Sequence, residues 1–184
     1  MEKVTSLEQV IGFWFAETVR PLWFRSTPAF DQSISEEFMD SYQAAMAGRL
    51  MDWQATAQGA LALVIILDQF PLNIFRGQAE SFASEAMART VTRLAIDRQF
   101  DQQLTDEQKA FLYMPLMHSE DLLDQEQSVI LYETAGLKDN LRFAKHHQEI
   151  IQKFGRFPHR NTILGRKSSE VELQYLQSKE AFLG

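Results

Sequence analysis

The sequence predicts an all-α protein of about eight helices in stacked antiparallel helical hairpins. Three observations carry that expectation. Apolar residues recur at helical period in nearly every segment, and strand alternation is absent. Helix-start signatures, a Ser or Thr followed three residues later by Glu or Gln, punctuate the chain. The connections are short, which favours antiparallel neighbours and leaves no linker to divide residues 1–184 into more than one domain.

The elements follow in order. Thr5 and Glu8 form a capping-box pattern that opens a first helix, ending near Arg20-Pro21. Thr27 then Pro28 is an N-cap followed by proline at the first helical position. That second helix turns Ile34, Phe38, Tyr42 and Ala45 inward and stops near Gly48. A third starts at Asp52, with Trp53, Ala57, Ala60, Leu61, Val64 and Leu67 on one stripe, and ends at Phe70-Pro71. A fourth spans about 78–99, with Phe82, Ala86, Val91 and Leu94 in its core. Thr105 and Gln108 open a fifth, which Pro115 kinks or ends. A sixth starts near Ser119, with Glu120 and Asp121 in the first turn where the helix dipole favours acids, and closes at Gly136. A seventh runs from Asp139 to Phe154, with Gly155 placed as a left-handed cap. Ser169 and Glu172 open the last, to about Phe182. One internal echo exists. Phe70-Pro71 followed by Asn73 and Arg76-Gly77 parallels Phe157-Pro158 followed by Asn161 and Gly165-Arg166, which suggests two related inter-helix turns.

Composition bounds the function. Hydrophobic content is 45%, and fourteen Phe, four Tyr and three Trp supply a sizeable core. With no cysteine, disulfides and thiolate chemistry are excluded. The N-terminus lacks a signal-peptide pattern, so a cytoplasmic location is expected. The longest apolar run, Ala60 to Leu67, is far short of the roughly 20 residues that span a bilayer, so no membrane partner is expected. At pI ≈ 5.1 the chain lacks the broad basic face that nucleic acid requires. Against this acidic background, residues 153–169 hold Lys153, Arg156, Arg160, Arg166 and Lys167 and no acid. These arginines should pair with buried acids or bind an anion.

Several polar residues stand out on apolar stripes. Asp68 shares a face with Leu61 and Val64, so it points inward and needs a cation or donors, with Arg76, Arg156, Arg160 and Arg166 as candidates. It reads either as a structural ion pair or as a catalytic acid. His147 falls in the middle of the Phe143, Ile150, Ile151 and Phe154 stripe, either as a core imidazole donating one hydrogen bond or as a general base. His118 precedes the Ser119 cap, a place that suits anion capture or a plain helix junction. His118, Asp121, His147 and His159 would make a metal set if gathered, but no local zinc-type spacing exists and no metal is expected. Asp31 reads as a dipole-favoured surface acid, and Trp14, Trp23 and Trp53 as core. Serine-hydrolase and phosphate-loop signatures are absent.

Larger blocks match a known pattern. These are Phe13-Trp14-Phe15, Trp23-Phe24, Phe30-Asp31, the stretch from Leu67-Asp68-Gln69-Phe70-Pro71 to Arg76-Gly77, and Tyr113-Met114-Pro115-Leu116-Met117-His118-Ser119-Glu120-Asp121. Phe143-Ala144 with His147 and the 154–166 loop complete it. Together they resemble the bacterial family catalogued as domain of unknown function 924. The resemblance implies an all-helical, TPR-like arrangement and brings with it no established activity or cofactor. That family typically has Arg after the first Phe-Pro, where this chain has Leu72. If that Arg contacts a ligand, this chain binds it more weakly or differently.

Two functional readings follow. In the first, Asp68, Asn73, Arg76, His118, Glu120, His147, Arg156, His159, Arg160 and Asn161 line a pocket for a small anionic ligand, with the arginines as forks. Chemistry there would be proton transfer or hydrolysis, with His147 or His118 as base and Asp68 as its orienter. In the second, a helical scaffold presents a groove to a peptide or protein, and the same polar residues form a structural network.

Overall fold

The computed structural model describes residues 3–183. Among them are eight α-helices and no strand: α1 Leu7–Trp14, α2 Pro28–Met46, α3 Ala57–Ile74, α4 Glu85–Asp97, α5 Asp106–Met117, α6 Leu122–Thr134, α7 Lys138–Phe154 and α8 Glu170–Leu176. The chain forms two compact units. Unit 1 comprises the chain up to Arg76 together with Glu80–Pro115, and unit 2 comprises Gly77–Ala79 and the chain from Leu116 onward. The boundary between Pro115 and Leu116 falls inside α5.

Unit 1 is built around α3, which packs against α1, α2 and α4. By length and composition α3 is apolar enough to cross a membrane, but 83% of it is buried inside the protein, as a core helix requires. Its aromatic shell includes Trp14 edge-on to Phe70 at 5.7 Å and Phe38 against Phe70 at 4.5 Å. The helix starts at Ala57 rather than Asp52, because Thr56 supplies the cap and residues 51–55 form a 3-10 turn. That turn approaches so closely that a Cβ on Gly59 would stand 2.0 Å from the Trp53 carbonyl oxygen.

Phe70-Pro71 does not end α3. Residues Ile65–Gln69 widen into a π turn, and the helix continues through Pro71 to Ile74. Pro71 cannot donate to the Leu67 carbonyl, and the Ser84 hydroxyl does so instead at 2.5 Å. Ser84 thereby leaves its own helix without a side-chain cap bond. Pro115 likewise lies inside α5.

The caps are local and mostly as expected. Thr27 accepts from Phe30 N–H, Thr105 and Gln108 bond reciprocally, and Ser169 with Glu172 form a capping box. At α1 the box lies one residue on, at Ser6 and Gln9, because Thr5 is buried and bonded to Ser41 of α2. Core registers shift similarly. α4 buries Ala88, Val91, Thr92 and Ala95, while Ala86 is exposed. In unit 2, α6 packs on α7, which buries Ala144, His147, Ile150 and Ile151 and leaves Phe143 exposed. Gly155 adopts φ +67° and donates to Ile151 O, closing α7 as expected. The expected tail of α8 to Phe182 is not helical, since α8 ends at Leu176.

Candidate functional site

In unit 1, Asn73 and Arg76 leave the end of α3 and close on a single carboxylate, Asp31. Arg76 grips it with Nε at 2.6 Å and Nη2 at 3.0 Å, Asn73 Nδ2 donates at 2.7 Å, and the Ser26 hydroxyl donates at 2.5 Å. Burial pushes the Asp31 carboxyl up, but the hydrogen bonds from Arg76, Ser26 and Asn73 outweigh it and bring the pKa down to about 2. Asp31 is therefore not a solitary surface acid. Two of its three partners, Asn73 and Arg76, lie 42 and 45 residues away, which a local reading does not reach. Asp68 is buried in the π turn, and its Oδ2 accepts from Gln69 Nε2 at 2.6 Å. Leu72 is half-buried on the same helix.

Unit 2 holds the remaining predicted residues. After Gly155 the chain leaves the helix, and a 3-10 turn, Pro158–Arg160, carries His159 and Arg160. A loop exposes backbone groups that must be satisfied, and three charged side chains satisfy them. Glu120 accepts from Phe157 N–H at 2.8 Å and is held in a fork by Arg166 at 2.6 and 2.9 Å. Arg166 also donates to Phe157 O and to Asn161 Oδ1. Arg156 grips Glu172 at 2.6 and 2.8 Å and donates to Lys167 O at 3.0 Å. Arg160 is buried, donates to His118 O at 2.9 Å and lies 4.7 Å from the Phe157 ring centroid. Asn161 is buried and donates to Ser168.

These contacts reassign two acids. Glu120 is not a first-turn acid of α6. It precedes the helix, whose N-cap is Asp121 rather than Ser119, and Ser119 donates to the buried Asp124 instead. Burial raises the Glu120 pKa, but the Arg166 fork and the Phe157 N–H more than reverse that. Glu172, read as half of a capping box, is also the carboxylate partner of Arg156, which holds its pKa at about 2.

Two imidazoles, His147 and His159, lie against the Phe157 ring. His147 Nδ1–H donates to Phe143 O at 2.8 Å, as a core histidine would, and burial lowers its pKa to about 3. The His147 ring lies 5.4 Å from Phe157 and 4.4 Å from Phe182. His159 lies 5.6 Å from Phe157 and 5.0 Å from Phe182. Burial first, and then the Arg160 charge, lower its pKa to about 4. Its Nδ1 is buried and makes no hydrogen bond among the described residues. Among those residues no group of three His, Asp or Glu is gathered as a metal set, so His118, Asp121, His147 and His159 do not form one. A shallow cleft of about 460 Å³ lies nearby in sequence, lined by Lys153, Phe154, Arg156, Ser169, Val171 and Glu172.

The Phe-Pro echo is thus an echo of residues, not of turns. The first lies within α3, and the second opens a loop. Phe182 and Ser26 were not legible as site residues. Only the Ser26–Asp31 spacing at a helix start hinted at the second, as a side chain able to reach back to the first turn.

The comparisons with known proteins agree with this architecture. The family model described as a bacterial protein of unknown function (DUF924) matches residues 10–180. A solved structure of a protein of unknown function from Agrobacterium tumefaciens is similar at 37% identity, covering 93% of this chain and 96% of that one, with a TM-score of 0.88. No curated protein matches. With the family's sequence pattern running through nearly the whole chain, the protein belongs to the bacterial DUF924 family.

Proposed function

We propose that this protein binds a small anion, a phosphate- or carboxylate-bearing metabolite, at the His159–Arg160 turn of unit 2. The observation that carries the reading is the buried, unbonded Nδ1 of His159. A buried polar atom left unsatisfied costs about 1–3 kcal/mol, which a ligand oxygen accepting from Nδ1–H would remove. Arg160 supplies positive charge beside it, and His118 and Asn161 help to hold the turn. The Arg156–Glu172 and Arg166–Glu120 forks frame the loop and are structural in this reading. The site acts in the cytoplasm, which a cysteine-free composition supports. If chemistry follows binding, it is proton transfer or hydrolysis. A neutral imidazole suits either, and half-buried His159 or His118 serves better as base than the deeply buried His147.

The test is thermal unfolding against a panel of phosphorylated metabolites, carboxylates and nucleotides. A ligand at 100 times its Kd adds about 2.7 kcal/mol, a rise of roughly 5–10 °C at this chain length. His159→Gln and Arg160→Lys should each reduce that rise. Silence across the panel would overturn the reading. A second reading, a TPR-like scaffold for a peptide or protein, is favoured by Leu123 and Ile130. They are 72% and 61% exposed and lie seven residues apart on α6. A helical peptide partner whose binding Leu123→Glu abolishes would support it.

A further inference from the structure

Residues 177–183 follow α8 without regular structure, and most of their side chains are exposed. Their described hydrogen bonds are all local. Ser178 N–H donates to Tyr175 O, Ala181 N–H to Ser178 O, and Phe182 N–H to the Tyr175 hydroxyl at 2.9 Å. The Phe182 ring alone reaches further. It sits 4.4 Å from His147 and 5.0 Å from His159, against the apolar cluster of Ile150, Ile151 and Phe157. Tyr175, its anchor, is in turn packed 5.0 Å from Phe154. A segment held by short-range hydrogen bonds and one ring has little to lose on opening locally. None of the described hydrogen bonds of α7 or of the 3-10 turn depends on it.

We infer that residues 177–183 are a strap whose Phe182 ring covers the His147 and His159 imidazoles and swings away to admit a ligand to His159. The strap deepens the anion reading above and rests on it for the ligand's class, though not for the covering itself. A closed strap lowers apparent affinity by the fraction of molecules that are open, so loosening it strengthens binding. Tyr175 acts as the hinge-side latch, through one hydroxyl on one backbone N–H.

The experiment is the rate at which diethyl pyrocarbonate modifies each histidine, followed by peptide mass spectrometry with and without inorganic phosphate. In Phe182→Ala, His159 should react about tenfold faster than in the wild type, which corresponds to about 1.4 kcal/mol of closure lost. Tyr175→Phe should give a smaller rise at the same residue, and His146 should change in neither. Equal His159 rates in wild type and Phe182→Ala would overturn the strap. If every histidine accelerates in Phe182→Ala, that variant has unfolded and Tyr175→Phe decides. An unchanged His159 rate in folded Tyr175→Phe then overturns the strap. Phosphate should slow His159 modification in the opened variant. Faster modification without phosphate protection would uphold the strap and sink the anion reading.

Discussion

In unit 1 the Phe70-Pro71 block stays helical, and in unit 2 the Phe157-Pro158 block does not. Both end with an arginine fork on a carboxylate, Arg76 on Asp31 and Arg166 on Glu120. The difference lies in what else those side chains do. A helix satisfies its own backbone, so Asn73 and Arg76 are left to donate to Asp31. The loop of unit 2 has no such ladder. There Glu120 accepts a backbone N–H, while Arg156, Arg160 and Arg166 each donate to a backbone carbonyl. The same pairing chemistry closes a helix end in one unit and holds a loop in the other. In the second, the buried Nδ1 of His159 makes no hydrogen bond among the described residues.

If that contrast is right, breaking a unit 2 fork costs more than breaking the unit 1 fork. The largest effect is expected at Glu172, whose side chain is 4% exposed. Glu172→Ala strands Arg156 and removes the α8 capping box, and should lower unfolding free energy by about 3 kcal/mol in urea titration. Next is acidification. Burial depresses the folded pKa of His147 to about 3, below its unfolded value of about 6.5. Its contribution is therefore complete above about pH 6.5 and is lost as pH falls toward the folded value, by about 2–3 kcal/mol at pH 4.5. Asp31 and Glu172, also depressed, lose their contributions only below about pH 4, as pH falls toward their folded values of about 2. Between pH 6.5 and 4.5 the decline should thus come from unit 2, from His147 together with His159, whose folded pKa is about 4, so His147→Gln should make it shallower and the double variant with His159→Gln should flatten it. A decline that starts only below pH 4 in the wild type would contradict the buried neutral imidazole.

Glu120→Gln keeps an acceptor for Phe157 N–H but removes the charge facing Arg166, and a loss of about 2 kcal/mol is expected. Its amide exchange at Phe157 should stay slower than in Glu120→Ala, which loses the acceptor as well. The smallest effect belongs to unit 1. The Arg76 side chain is 56% exposed, and Arg76→Ala should cost about 1 kcal/mol or less, declining further in high salt. A loss there equal to that of Glu172→Ala would erase the distinction between the two clusters.

Local chemistry was legible in the sequence, and chemistry across distance was not. Thr27, Thr105 with Gln108, Ser169 with Glu172, and Gly155 act within a few residues, so their caps read directly. Pro71 misled because the donor it lacks is supplied to the Leu67 carbonyl by Ser84, 17 residues beyond Leu67. Asp31 and Glu120 looked like helix-dipole acids, and each instead answers an arginine 45 or 46 residues further on. The basic loop reads as a place where arginines meet buried acids or an anion. Arg156 and Arg166 meet acids, and the sequence held no sign that α8 would supply one of those acids. The Ser169–Glu172 cap predicts a helix to about Phe182, and the position of Phe182 against two imidazoles depends on that helix stopping at Leu176.

The most direct test of the anion site is the ¹⁵N resonance of His159 Nδ1 during titration with inorganic phosphate. A saturable shift is expected at His159, a smaller one at His118, and loss of saturation in Arg160→Lys. A His159 signal that stays fixed in the wild type and in Phe182→Ala, while phosphate reaches millimolar levels, would contradict it.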